Sequence, residues 1–341
     1  MKNILNFLLT FSFTILITLP ASATIWRVNN TLSAPDQVDF NELTDAVVAA
    51  NAGDTIYVEG SSVDYKVGAR INKALTIIGP GFLQENNPEV CQHLNATFGN
   101  GVSIFIESGA DGTYITGLDL EVSNSFSSGI RIGQNAGPIS NITITRNRIN
   151  DLTIAQGTEV SNIFVTKNLF CGGILFSSYT NVDNLHIHNN LIFESIRING
   201  IGADMSNCTV LNNTMRNDSR ISIEGSTIAY NYTGRIRADF ENISVNNNIL
   251  SDTNSDDNTT IKTVDPSNIC DPYVDDGWGC NTDNWEYAPA DLTTTHGAYN
   301  GADPFPAPFA NLPAWPVIQS CTVDPCGDTN IQVQFQIRTN Q

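Results

Sequence analysis

Basic residues are scarce in this chain: 16 Lys and Arg stand against 35 Asp and Glu, a formal net charge of −19. Nucleic acid and anionic membrane surfaces repel such a chain, so neither is an expected partner. A polyanionic ligand is awkward too, unless cations bridge the contact. Long apolar runs are also lacking after residue 19, so no membrane span is expected in the mature chain. The seven cysteines are an odd number, so at least one stays outside any intramolecular pairing. Helical periodicity is confined to one short stretch near the start.

The single long apolar run, Ile4–Leu19, follows Lys2 and ends at Pro20 before Ala21-Ser22-Ala23. This is the pattern of a secretory signal cut after Ala23. No cysteine follows the cut, so no lipid anchor is indicated. Removing Lys2 with the signal leaves 15 basic against 35 acidic residues, a net of −20. A secreted or periplasmic, surface-exposed monomer is expected.

What is present is a repeat. Ile139–Ile149 (ISNITITRNRI), Val160–Phe170 (VSNIFVTKNLF), Val182–Ile192 (VDNLHIHNNLI), Met205–Met215 (MSNCTVLNNTM) and Phe240–Leu250 (FENISVNNNIL) are near copies. With Asn141, Asn162, Asn184, Asn207 and Asn242 as position zero, and weaker copies at Gly117 and Gly225, the spacings are 24, 21, 22, 23, 18 and 17 residues. A period near 20 implies one supersecondary unit per repeat, stacked on its neighbours. Positions +1 and +3 are apolar, as in Ile142/Ile144, Ile163/Val165 and Leu185/Ile187, which is a strand with one buried face. Position +6 is asparagine: Asn147, Asn168, Asn190, Asn213, Asn231 and Asn248. Asparagine tolerates a left-handed corner, and its amide can bond the asparagine one coil away. A second alternating set, GIRI (129–132), LTIA (152–155), GILF (173–176), SIRI (195–198), RISI (220–223) and RIRA (235–238), completes each coil. The reading is strand, corner, strand, loop.

Two solenoids fit this period. Ile139 to Ile149 also matches the leucine-rich repeat pattern, but that fold follows its asparagine with a helical arm and seldom uses coils of 17 or 18 residues. Alternating β-branched residues after the asparagine favour an all-β fold, a right-handed single-stranded parallel β-helix with an N-terminal capping helix. About nine to eleven turns are expected, a rod of about 40–50 Å.

Ahead of the repeats, TIWRVNN (24–30) reads as a strand, and Leu43, Ala46, Val47 and Ala50 share one helical face. AGDTIYVEG (52–60) and INKALTIIGPG (71–81) follow. This order resembles the N-terminal cap and first coils of the pectin-lyase-like β-helix superfamily, and "GAYNGADPF" (297–305) resembles a C-terminal motif of exported bacterial β-helix proteins. The resemblance implies export and contact with polysaccharide. It does not carry over catalytic residues: the W-x-D-H and R-x-P-x-x-R motifs of pectate-lyase-like enzymes are absent, and of the N-x-D, D-D and G-H-G series of polygalacturonase-like hydrolases Asp256-Asp257 and Asp275-Asp276 lie beyond the repeats and the only His-Gly is His296-Gly297 in the tail. The expected organisation is 1–23 signal, 24–250 β-helix with its cap, and 251–341 a loop-rich tail folding over the last coils.

Outward columns are where chemistry would sit. At +2 the column reads Asp119, Thr143, Phe164, His186, Thr209, Thr227, Ser244, and at +4 Glu121, Thr145, Thr166, His188, Leu211, Ala229, Asn246. His186 and His188 share a side and could hold a metal or act as acid and base. Arg131, Arg197 and Arg237 could bind carboxylates of an acidic sugar, or pair with Glu194, Glu224 and Asp239. Asp252, Asp256 and Asp257, with Asp275, Asp276 and Asp283, could hold calcium, though without the calcium-loop spacing. No other cofactor is identifiable. Trp278, Trp285 and Tyr287 could stack on sugars or pack the tail. Cys208, on an inward position, is expected in the core, and Cys270/Cys280 and Cys321/Cys326 could pair. The function expected is polysaccharide interaction without a recognisable catalytic motif. The alternatives are a divergent polysaccharide lyase or glycosidase using Arg131, Arg197, Glu194, His186 or His188, and a structural or adhesive surface protein.

Overall fold

The computed structural model describes residues 23–250 apart from 33, 83–93, 100, 121–128, 134–136, 200–202, 216–218 and 238–241, together with 317–324 and 332–338. The chain winds as a parallel β-solenoid of about seven turns. Each complete coil lays down three strands, not the two expected. In one coil these are Glu159–Thr166, Leu169–Phe170 and Ile174–Ser177. The first sheet has eleven strands, the second seven and the third eight. The second sheet is the one missed: its strands are two residues long, too short to carry an alternation. Its first strand is Asp119–Leu120, and a parallel bridge from Asp119 to Thr97 carries the pairing one coil earlier, so among the described residues it has fewer strands than the first sheet.

Asparagine explains the stacking. Asn147, Asn168, Asn190, Asn213, Asn231 and Asn248 are all buried. In each, the side-chain Oδ1 accepts from the backbone N–H of the residue one coil earlier. For Asn147 through Asn231 as donors these bonds are 2.9–3.0 Å. The same Oδ1 accepts from the preceding asparagine's Nδ2 at 2.9–3.1 Å. Each Nδ2 also donates to two backbone carbonyls, for Asn168 those of Ile144 and Thr166. Every polar atom of the buried amide is thereby used. The column ends where Leu118 takes the asparagine's place and its N–H bonds Asn147 Oδ1.

The left-handed corner lies elsewhere than expected. Positive φ falls at position zero (Asn141, Asn162, Asn184, Asn207, Asn242) and at +5 (Arg146, Lys167, Asn189, Asn212, Tyr230, Asn247), not at the ladder position +6. The ladder asparagines are selected for their amide, and the residue before each takes the bend.

Register corrects one alignment. Tyr114 pairs with Thr143 and Thr116 with Thr145. Gly117, at φ 74, is therefore a +5 residue and not a zero. In the +2 and +4 columns Tyr114 and Thr116 take the places given to Asp119 and Glu121. Asp119 sits in the second sheet beside Arg148, 3.1 Å from its Nε, and Glu121 is outside the described residues.

Inward positions form one continuous core. Ile142, Ile144, Ile163, Val165, Leu185, Ile187 and Val210 are fully or almost fully buried, and each such side chain contributes roughly 1.5–3 kcal/mol. The helix Leu43–Ala49 packs against the strands Ile25–Val28, Thr55–Val58 and Ala69–Ile71 and buries Leu43, Ala46 and Val47. It covers apolar surface at the first rungs, as expected of a cap. Cys208 is buried and free, and Cys171 is disulfide-bonded. No helical arm lies between Asn147 and Asn162: the strands Arg148–Ile149 and Asp151–Ile154 stand there, which excludes the leucine-rich repeat. Gln332–Arg338 is a strand, but it pairs antiparallel with Val317–Asp324 and adds no rung. The rest of the tail lies outside the described residues.

Asn168→Ala removes the acceptor for two buried donors, the N–H and Nδ2 of Asn147. At roughly 1–3 kcal/mol per stranded donor, a loss of about 3–5 kcal/mol is expected in urea unfolding followed by circular dichroism. Thr143→Ala, on the outer face, should stay within about 0.5 kcal/mol of the parent. Equal effects would mean that the ladder is not what holds the coils.

Candidate functional site

The third sheet alternates inward Ile130, Leu152, Ile174, Ile196 and Ile221 with outward residues. Parallel pairing sets Arg131 beside Thr153, Thr153 beside Leu175, Leu175 beside Arg197 and Arg197 beside Ser222, as the sequence pattern implied. Arg237 follows Ser222 in file, its N–H bonding Ile221 O. The adjacent outward column carries Asp151, Gly173, Ser195, Arg220 and Arg235.

Asp151 is the residue that the sequence reading missed. It is half-buried, and Oδ1 accepts the Gly173 N–H at 2.8 Å. The next coil makes room for it by having no side chain: a Cβ on Gly172 would lie 2.2 Å from Asp151 Oδ1. Burial pushes the Asp151 carboxyl above the usual carboxylate range. The Gly173 N–H opposes this, the Glu194 charge adds to it, and the Arg197 and Arg131 charges oppose it. Arg131, Arg197 and Glu194, each proposed from sequence, are therefore gathered within electrostatic reach of one carboxyl.

Arg131 and Arg197 are not consumed by ion pairs. Close pairs among the described residues join Arg27 to Glu59, Arg70 to Glu107 and Arg148 to Asp119, and neither of the two takes part in these. Arg197 Nε is buried with no hydrogen-bond partner among the described residues. Arg220 is held below the usual arginine value by partial burial and by the charges of Arg197, Arg235 and Arg237. The expected pairing of Arg131 or Arg197 with Glu194 is not formed, and Asp239 is outside the described residues. The result is a surface where positive groups crowd each other beside a carboxyl.

His186 and His188 lie on the first sheet, on a different face. Thr209, one rung on, is opposite His186. Its Oγ1 is 2.8 Å from His186 Nδ1 and 2.7 Å from His188 Nε2. Phe164 stacks on His186 with ring centroids 4.8 Å apart. Burial lowers the His186 pKa, and burial together with the His186 charge lowers that of His188 to about 4. Both influences favour the neutral ring. The five sequence candidates thus divide into two sets that do not share a site.

Asp252, Asp256, Asp257, Asp275, Asp276, Asp283, Trp278, Trp285 and Tyr287 fall outside the described residues. Among the described residues no group of three or more His, Cys, Asp and Glu could hold a metal ion, and no helix is long and apolar enough to cross a membrane. A signal for Asp151 did exist in the sequence: it precedes the alternating LTIA, and the next coil offers Gly172-Gly173 at that level. Comparison with protein-family models, with curated proteins and with solved structures finds no match.

Asp151 binds its proton more tightly in the fold than in the unfolded chain. Its contribution is therefore complete below the unfolded carboxylate value, about 4, and is lost as pH rises through the higher folded value. An asparagine in its place would keep the oxygen that Gly173 needs and lose nothing with pH. Asp151→Asn should match the parent's thermal midpoint near pH 3.5 (about the acid end of carboxylate titration) and exceed it at neutral pH. A variant less stable than the parent at neutral pH would show that the charged form is favoured.

Proposed function

We propose that this chain is an exported β-helix protein, akin to the pectin-lyase-like superfamily, that binds an acidic polysaccharide along the arginine face of its third sheet. The observation that carries the reading is Arg197, whose Nε is buried with no hydrogen-bond partner among the described residues, on the same sheet as Arg220 and Arg235, whose like charges bear on one another. Like charges held this close raise the free energy of the empty surface, and an anion relieves it. Guanidinium groups suit carboxylates because their planar donors bond two oxygens at once. A parallel sheet repeats its outward positions every ~4.8 Å, so an extended polymer with a charge on each sugar can meet several rungs together. Export is supported by the N-terminal pattern of Lys2, the run Ile4–Leu19 and Ala21-Ser22-Ala23, and by the disulfide at Cys171.

Asp151 favours a second reading, a lyase. A uronate whose carboxylate is neutralised by Arg197 or Arg131 has a more acidic carbon-bound hydrogen beside that carboxylate. The Asp151 carboxylate would take this proton, the electron pair would form the carbon–carbon double bond, and the glycosidic carbon–oxygen bond would break, its oxygen taking a proton from water.

Binding of the purified mature chain to a uronic acid polymer and to a neutral glucan tests the first reading. Selective binding of the uronic acid polymer, weakening with salt and at least about tenfold poorer in Arg197→Ala/Arg220→Ala, is expected. Equal binding of the neutral glucan, or an unaffected double variant, would remove it. Growth of the unsaturated-uronate absorbance that disappears in Asp151→Asn would establish the lyase.

A further inference from the structure

Three electron-pair donors converge on the first sheet, away from the arginine face. His186 Nδ1 and His188 Nε2 each approach Thr209 Oγ1, at 2.8 and 2.7 Å. The hydroxyl has one proton, so it donates to one ring and accepts from the N–H of the other. Two protons therefore serve three atoms that all carry lone pairs. The arrangement is held from outside: Phe164 lies against His186 with ring planes 13° apart, and His188 meets His186 edge-on at 5.4 Å.

Nothing else explains the pair. Neither ring makes a further hydrogen bond or ion pair among the described residues. The outward neighbours on the flanking strands are Phe164 and Thr166 on one side and Thr209 and Leu211 on the other, none of them charged. The influences on the two histidines are burial and, for His188, the His186 charge.

We propose that His186, His188 and Thr209 form a site for a borderline divalent transition cation, with copper(II) bound most tightly and nickel(II) and zinc(II) less so. The order follows from ligand chemistry, because imidazole nitrogen suits these ions and copper heads the series of affinities. Such a cation takes the two ring nitrogens at about 2.0–2.1 Å, with the Thr209 oxygen as the third donor. Binding moves the one facing imidazole proton to the far nitrogen of the same ring, so both rings stay neutral and each presents a lone pair to the cation. The site lies on the outer surface of a half-exposed sheet, which leaves the remaining coordination positions to water or to an incoming ligand.

The chain has two other histidines, His93 and His296, so the test uses a His93→Gln/His296→Gln background in which only this pair can supply imidazole. Copper(II) is added at equimolar amount and read by electron paramagnetic resonance, and affinity is measured by calorimetry with copper(II) and zinc(II). Coupling to two imidazole nitrogens, tighter binding of copper than of zinc, and at least a tenfold loss in His186→Ala or His188→Ala are expected. Coupling to one imidazole or none, or binding unchanged by either substitution, would overturn the site. The resonance reading needs neither alanine variant, so misfolding of those variants would not rescue the proposal.

Discussion

A buried amide that spends every one of its hydrogen-bonding atoms on the next coil is what the rest of this structure depends on. A solenoid has no long-range contacts to fix its coils, since each turn touches only its neighbours. Aliphatic side chains supply most of the burial, but Ile, Val and Leu pack almost as well when a coil slips by two residues. The asparagine column forbids that slip. Moving Asn190 by one position would strand the N–H and Nδ2 of Asn168 and leave two carbonyls without their donor. Burial stabilises the rod and the ladder selects its register.

Register in turn decides which side chains meet. Arg131 and Arg197 are 66 residues apart in sequence, and only parallel in-register stacking puts them in one file. The same holds for Thr209 against His186. Coil lengths vary because the connections on both sides of the third sheet differ in length, while the stretch from position zero to the ladder asparagine stays constant. The fixed geometry of that stretch lets loops and outward residues change without disturbing the core.

Much of this was legible in the sequence because solenoid physics is local. Alternation over four to eight residues marked the first and third sheets, and the asparagine period marked the stacking. The second sheet was not legible: Arg148–Ile149 or Leu191–Ile192 offers two residues, and no periodicity exists in two residues. The Gly117 alignment failed for a related reason. Leu118 and Leu120 imitate the +1 and +3 positions, but pairing to Arg148–Ile149 places Asp119–Leu120 one sheet further along. The left-handed bends at Arg146, Lys167 and Tyr230 were hidden because none of these residues advertises that conformation; the bonded neighbours impose it. Asp151 was passed over because its burial comes from what the next coil lacks, the side chains of Gly172 and Gly173.

The overall charge of −19 argues against a polyanionic ligand only if charge acts globally, and in physiological salt it does not. Screening reduces interactions beyond about 8 Å, while adjacent rungs stand about 4.8 Å apart. Arg220 therefore responds to Arg197, Arg235 and Arg237 and not to carboxylates elsewhere on the rod. The same distance argument applies to Asp151, which feels Glu194, Arg197 and Arg131 and no other charge of comparable weight. A solenoid with a net acidic composition can thus still hold a basic strip on one sheet, because adjacent rungs stand closer than a screening length. What an acidic composition excludes for a globular protein with mixed surfaces, it does not exclude for a rod whose register sorts its charges by face.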